Sequence, residues 1–186
     1  MPFGSLWLPV IVSAVAVFVA SSILHMALKY HKADYRPCPE EEAVRAAIAK
    51  ANPAPGLYAT PYCPDMKQMK EPAIRERFDK GPVALLTVFP RGLPNMPKHL
   101  TLWFAFSVLV SFVAAYVARH TLVPGADGLL VMRITGTVAF TGYALSDVSA
   151  SIWKGQPWSN TVRALIDGGI YALLTGVIFR LLWPAA

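Results

Sequence analysis

Four ionisable side chains sit in or beside stretches that are otherwise almost free of charge. Asp167 and Arg163 interrupt the apolar run 161–183. Asp147 closes the run 129–148, and His25 lies near the end of the run 3–28. Ionisable groups in membrane helices are costly and mark functional sites by default. Arg163 precedes Asp167 by four residues, so an ion pair on one helix face is geometrically natural. Asp167 lies eight residues past Ser159, about 12 Å along a helix and close to mid-bilayer. Asp167, Arg163, Asp147 and His25 are therefore expected to form one polar intramembrane cluster. Its chemistry would be a proton or ion path with Asp167 as the titrating group. The competing expectation, which the spacing favours, is a neutral Arg163–Asp167 or Arg163–Asp147 pair that fixes helix register. Thr135, Thr137, Thr141, Tyr143 and Ser146 can add hydroxyls along the third apolar run.

A second chemistry is metal binding. Cys63, Met66 and Met69 recur at three-residue spacing, and such soft ligands suit Cu(I). His25, Met26, His31 and Cys38 lie near the start of the same polar segment, but no His-x-x-His or Cys-x-x-Cys occurs. Two cysteines are too few for a disulfide framework or a four-cysteine zinc site. Nucleophilic catalysis has no motif: there is no Gly-x-Ser-x-Gly, phosphate loop or dinucleotide fingerprint. His99 and His120 flank the second apolar run at opposite ends. No cofactor is expected.

The elements that must carry these residues follow from composition. Of 186 residues, 55% are hydrophobic and 15% charged, with mean hydropathy +0.44. Soluble domains run at about 25% charged, so the composition argues against an ordinary soluble enzyme and against a disordered chain. Twelve of the 17 Lys and Arg, and eight of the 11 Asp and Glu, fall between Lys29 and Lys98. The pI near 9.5 comes without a dense basic run, so no nucleic-acid partner is expected. A hydrocarbon core needs about 20 mostly apolar helical residues. Residues 3–28, 99–119, 129–148 and 160–183 meet that length. The first lacks a basic residue before its apolar run and is too long for a signal peptide, so it is expected to stay as a span. The fourth has eleven Leu, Ile, Phe or Val residues, about −3 to −7 kcal/mol, against about +3 for Asp167. The third has eight and needs its neighbours to stay inserted. Trp7, Trp103, Trp153, Trp158 and Trp183 fall at or near span ends, with Tyr30 and Tyr116, as an interfacial belt requires.

Lys29, Lys32, Arg36, Arg91, Lys98 and Lys154 lie on one side of this layout, against Arg119, Arg133 and Arg180 on the other. The excess places both termini outside and residues 29–98 in the cytoplasm, where Cys38 and Cys63 are free thiols. The 29–98 insert reads as a small α/β unit. Pro39-Glu-Glu-Glu42 opens a helix that Asn52-Pro53 stops. Leu57–Cys63 is an edge strand at best, because of Pro61. Pro72–Lys80 is a short helix, and Val83–Phe89 is the best strand. About 60 residues is marginal for an independent core, so this unit should lean on the membrane surface or a partner. The fold class is thus an all-α membrane bundle of four helices with a small α/β soluble insert between helices one and two.

Small residues let membrane helices approach closely. The fourth span carries Ala164, Gly168, Ala172 and Gly176, one per four positions. Packing within the monomer is the simpler use, and a homo-oligomer or contact with other membrane subunits through this ladder is the alternative. The loop Trp153-Lys-Gly-Gln-Pro-Trp158, followed by Asp167-Gly168 and Tyr171, resembles a family of small bacterial four-span membrane proteins of unknown function. That resemblance implies the topology and a bacterial cell inner membrane, and no activity, cofactor or catalytic residue. The leading functional expectation is a non-enzymatic accessory or scaffold subunit. The alternatives are a small proton, ion or solute transporter using Asp167, and a metal or redox protein using Cys63, Met66 and Met69.

Overall fold

A computed structural model describes residues 3–185. The chain divides into two compact units. One comprises the residues up to Tyr35 together with those from Asn95 onward, and the other is Arg36–Pro94.

The first unit holds the four long helices. α1 (Trp7–Ser22) continues through a π-helical turn, Ile23–Ala27, and a 3-10 turn, Lys29–Asp34, follows. The remaining three are numbered after the second unit's two helices: α4 (Met96–Thr121), α5 (Gly128–Lys154) and α6 (Trp158–Leu181). All four are long and apolar enough to cross a membrane, the first counted as Gly4–Ala27. The third reaches Lys154, six residues past its sequence-derived end, because nothing between Val148 and Gly155 breaks a helix. Local signals set the ends. The Asn95 side chain accepts from Lys98 N at 3.1 Å and Asp127 from Leu130 N at 3.0 Å, both N-caps. Gly155, at φ 68°, closes α5 in the left-handed conformation glycine tolerates best.

Around the unit the helices contact in the order α1–α4–α5–α6, and α6 returns to α1. The α5–α6 contact is the most extensive because glycines face it. A Cβ on Gly168 would meet Ala144 Cβ at 2.5 Å, and one on Gly176 would meet the Met132 carbonyl at 2.8 Å. The Ala164/Gly168/Ala172/Gly176 ladder is therefore engaged by α5 within the chain, and a homo-oligomer through it would have to displace that helix. The opposite face of α6, with Val162, Ile166, Ile170, Leu173 and Val177, is exposed and apolar.

The buried core falls into two clusters. Leu6, Val10, Ala115, Ala118, Leu122, Val131 and Phe179 fill the half that holds the start of α1 and the end of α6. Val17, Leu24, Val110, Ala139, Tyr143, Tyr171 and Ala172 pack in the other half.

The second unit contains α2 (Glu41–Ala51), β1 (Gly56–Thr60), a 3-10 turn Met66–Lys70, α3 (Pro72–Lys80) and β2 (Ala84–Val88). The strands pair antiparallel, with Tyr58 opposite Leu86. β1 stops where Pro61 cannot donate to a ladder, and Asn52 ends α2 at φ 46°. No described residue of this unit is fully buried, which is the physical consequence of its size. Its boundary lies at Arg36 rather than Lys29: the charged residues 29–35, which read as the start of a soluble segment, belong to the helical unit.

Candidate functional site

The break after α1 builds the site. On an unbroken α-helix, six residues separate His25 from His31 by about 240°, so the rings would point apart. Instead the π turn ends at Leu28, whose backbone is extended (φ −86°, ψ 129°), and a 3-10 turn follows. The two imidazoles are thereby stacked, centroids 4.1 Å apart and planes within 9°. Residues i and i+3 eclipse in a 3-10 turn, which sets Asp34 beside His31 with Nδ1 to Oδ2 at 2.6 Å.

Asp167, 4% exposed on α6, receives this turn. Its Oδ2 lies 2.8 Å from His31 Nε2 and 3.9 Å from His25 Nε2. Its Oδ1 accepts a hydrogen bond from the Tyr30 hydroxyl. The ring tautomers follow from the acceptors on the far side. His25 Nδ1 faces the Ser21 carbonyl at 3.0 Å, and a carbonyl only accepts, so Nδ1 carries a proton. His31 Nδ1 faces Asp34, whose other oxygen accepts from the Arg163 guanidinium at 2.6 Å, so Asp34 is ionised and Nδ1 donates again. With both rings neutral, the unprotonated Nε2 atoms of His31 and His25 lie 2.8 and 3.9 Å from one carboxylate oxygen. That junction is repulsive unless something positive occupies it.

One proton between His31 Nε2 and Asp167 Oδ2 makes a hydrogen bond at 2.8 Å, and a second on His25 would place two imidazolium cations face to face. At 4.1 Å their repulsion is about 1 kcal/mol in bulk water and about 4 at an effective dielectric of 20. A divalent cation meets the same demand with both rings neutral. The ligand atoms of His25, His31 and Asp167 all lie within 4.8 Å of one another. Two ligands about 2.1 Å from a tetrahedral ion stand about 3.4 Å apart; the His31–Asp167 pair is closer, at 2.8 Å, and the His25–Asp167 pair farther, at 3.9 Å, so an ion would be taken with a small turn of the near-parallel rings. Two imidazoles and a carboxylate suit zinc or another borderline divalent metal and leave at least one position on the ion free for water or a ligand.

Around this triad lies a cavity of about 390 Å³. Trp103, Tyr143 and Tyr171 form one wall, with centroids 5.4–6.2 Å apart. Trp103 Nε1 donates to Ser21 Oγ at 2.8 Å, so Ser21 holds the wall through its hydroxyl and His25 through its carbonyl. Gln156, Asn160 and Asp147 also line the space.

The cluster read from sequence is thus partly assembled. Asp167 and His25 meet, and Asp147 lines the same cavity. Arg163 does not pair with Asp167 or Asp147. It pairs with Asp34, and Asn160 Oδ1 accepts from it at 3.2 Å. The fold-back of residues 29–34 brings a carboxylate to the guanidinium end-on, which the i, i+4 spacing along α6 does not. Thr135 and Thr141 bond carbonyls of their own helix rather than the cluster. Trp103 and Tyr30, expected in an interfacial belt, turn inward to Ser21 and Asp167. Cys63, Met66 and Met69 belong to the second unit: Cys63 Sγ donates to the Asp65 carbonyl at 3.1 Å and Met66 is 75% exposed. Among the described residues, the His/Cys/Asp/Glu group able to hold an ion is His25, His31 and Asp167. Asp34, Trp103 and Tyr171 carry the site without having been singled out for it, and His31 was named only beside the soft-metal candidates. The one sequence signal was two histidines and an acid within ten residues across the end of an apolar span.

Neither a protein-family model, nor a curated protein, nor a solved structure matches the chain. The resemblance of the Trp153–Trp158 loop has no match behind it, and function rests on the geometry of the site alone.

Proposed function

We propose that this chain is a multi-pass membrane protein that holds a divalent transition-metal ion at His25, His31 and Asp167. On this reading it resides in a bacterial inner membrane with both termini outside, residues 36–94 in the cytoplasm and the metal nearer the cytoplasmic face. One observation carries the metal assignment: both imidazoles present Nε2 to a single carboxylate oxygen while both Nδ1 atoms are held by acceptors. Metal-ligating histidines are oriented in this way by a carboxylate or a backbone carbonyl. Asp34 and Ser21 supply one of each. Conduction past Asp167 has the packed Leu6/Val10/Phe179 cluster against it, since that cluster fills the far half of the helical unit. An accessory role in a larger assembly has no contact of its own to argue from.

The test is direct. Full-length protein is solubilised in detergent, stripped with chelator and titrated with Zn²⁺ and Co²⁺ by calorimetry, with bound metal counted by mass spectrometry. Stoichiometric binding is expected, weakened more than about a hundredfold in His31→Ala and Asp167→Asn and unchanged in Cys63→Ser. Folded wild type that retains no metal refutes the proposal. A site lost in Cys63→Ser and kept in His31→Ala moves it to the second unit.

A further inference from the structure

The metal site is one layer of three along α6. Arg163, Asp167 and Tyr171 stand at four-residue intervals on one helix face. Arg163 clamps Asp34, Asp167 takes the two imidazoles, and Tyr171 belongs to the aromatic wall. α1 repeats the offset in the other direction. His25 is a ligand, and Ser21, four residues earlier, anchors Trp103. The wall therefore lies one turn, about 6 Å, deeper than the metal, and the cavity of about 390 Å³ is lined by all three layers.

The wall contains an unfinished hydrogen bond. Tyr171 is 3% exposed, and its hydroxyl has no partner among the described residues. A buried tyrosine hydroxyl ordinarily finds one. Tyr171 lines the same cavity as the metal ligands, so a molecule bound there that reaches the buried hydroxyl is the natural acceptor. Charge narrows what that molecule is. Asp34 and Arg163 cancel, so a divalent ion against the Asp167 carboxylate leaves one positive charge at the ion, and Asp147 in the lining brings the cavity as a whole to zero, which disfavours polyanions. The rings of Trp103, Tyr143 and Tyr171 favour a flat apolar body.

We infer that the ion's remaining position faces the aromatic wall and takes a small monoanionic oxygen ligand with a flat apolar body, a carboxylate of the aromatic-acid type, to which Tyr171 donates. This rests on the metal reading proposed for His25, His31 and Asp167. The test loads the full-length protein with Co²⁺, whose visible bands report coordination, and titrates it with benzoate and with acetate. Benzoate should shift the bands at a concentration at least about tenfold below acetate, because its ring is buried against the wall. Tyr171→Phe should weaken benzoate about tenfold and leave Co²⁺ affinity within about twofold. Wild type with Co²⁺ bands that benzoate does not move overturns the inference and leaves the metal site standing. Benzoate and acetate acting equally, with Tyr171→Phe indifferent, overturns it too. Wild type without Co²⁺ bands removes the metal reading and the inference together.

Discussion

Asp34→Asn separates a metal site from a polar tie between helices. Asp34 makes two contacts at 2.6 Å, one to His31 Nδ1 and one to Arg163. Its side chain is 19% exposed, with His31 at 13% and Arg163 at 21%, so both contacts are largely shielded from water. Asparagine keeps the shape and loses the charge. It also offers a single acceptor oxygen where two donors converge, so its amide NH₂ must face either the imidazole N–H or the guanidinium. One charge-assisted hydrogen bond is lost outright, about 1.5–3 kcal/mol. For metal binding the expected loss is that of a carboxylate behind a ligating histidine, about 10–100-fold in affinity, or about 1.4–2.7 kcal/mol. The two losses are read separately: thermal unfolding of the metal-free protein in detergent reports the first, and competition titration with Zn²⁺ reports the second. Both should fall in Asp34→Asn. Metal affinity unchanged in a folded Asp34→Asn variant would refute the orienting role given to Asp34. A fall in stability together with no binding in wild type would reduce the network to a tie between the 29–34 turn and α6.

Two further substitutions test the frame. Gly176→Ala should cost about 1–3 kcal/mol by overpacking, because its Cβ would sit 2.8 Å from a backbone oxygen, whereas Gly169→Ala, with nothing within 4 Å, should be neutral or stabilising in the same unfolding assay. Equal effects would mean that α5 and α6 are not in the contact described. Trp103→Phe removes the bond to Ser21 Oγ while keeping an aromatic ring in the wall, so a loss of about 0.5–1.5 kcal/mol is expected, read as a lowered unfolding temperature, and an unchanged temperature would refute the Trp103–Ser21 bond.

The four long helices were legible because apolar length is a local property, counted residue by residue. The second unit's elements were legible for the same reason: Pro39, Asn52-Pro53, Pro61 and Gly81-Pro82 punctuate them at fixed places. The site was not, because it depends on a break and on contacts far apart in sequence. Lys29, Lys32 and Asp34 look like the first residues of a solvated segment, and nothing in their types announces a 3-10 turn folded back onto α6. Arg163 offers the same lesson from the other side. Its spacing to Asp167 points to a local pair, yet its partner lies 129 positions away. Trp103 sits seven residues into α4, near enough to the end to pass for a belt residue, and only the helix rotation turns its indole toward Ser21.

Rotation of α6 and the glycine ladder are likewise one constraint. α6 presents two inward faces offset by a single residue, about 100°: Gly168, Ala172 and Gly176 toward α5, and Asp167 and Tyr171 toward the cavity. Gly168 follows Asp167 directly and lies against Ala144 with no room for a Cβ. Turning α6 enough to withdraw Asp167 from the histidines would drive a larger side chain into α5. The close α5–α6 contact therefore fixes the azimuth of the carboxylate, and the extended Leu28 fixes the approach of His31 to it. On the membrane reading proposed above, helices gain little from hiding from one another, so neither device serves to bury apolar surface. Both serve to bring two imidazoles within 2.8 and 3.9 Å of one carboxylate oxygen.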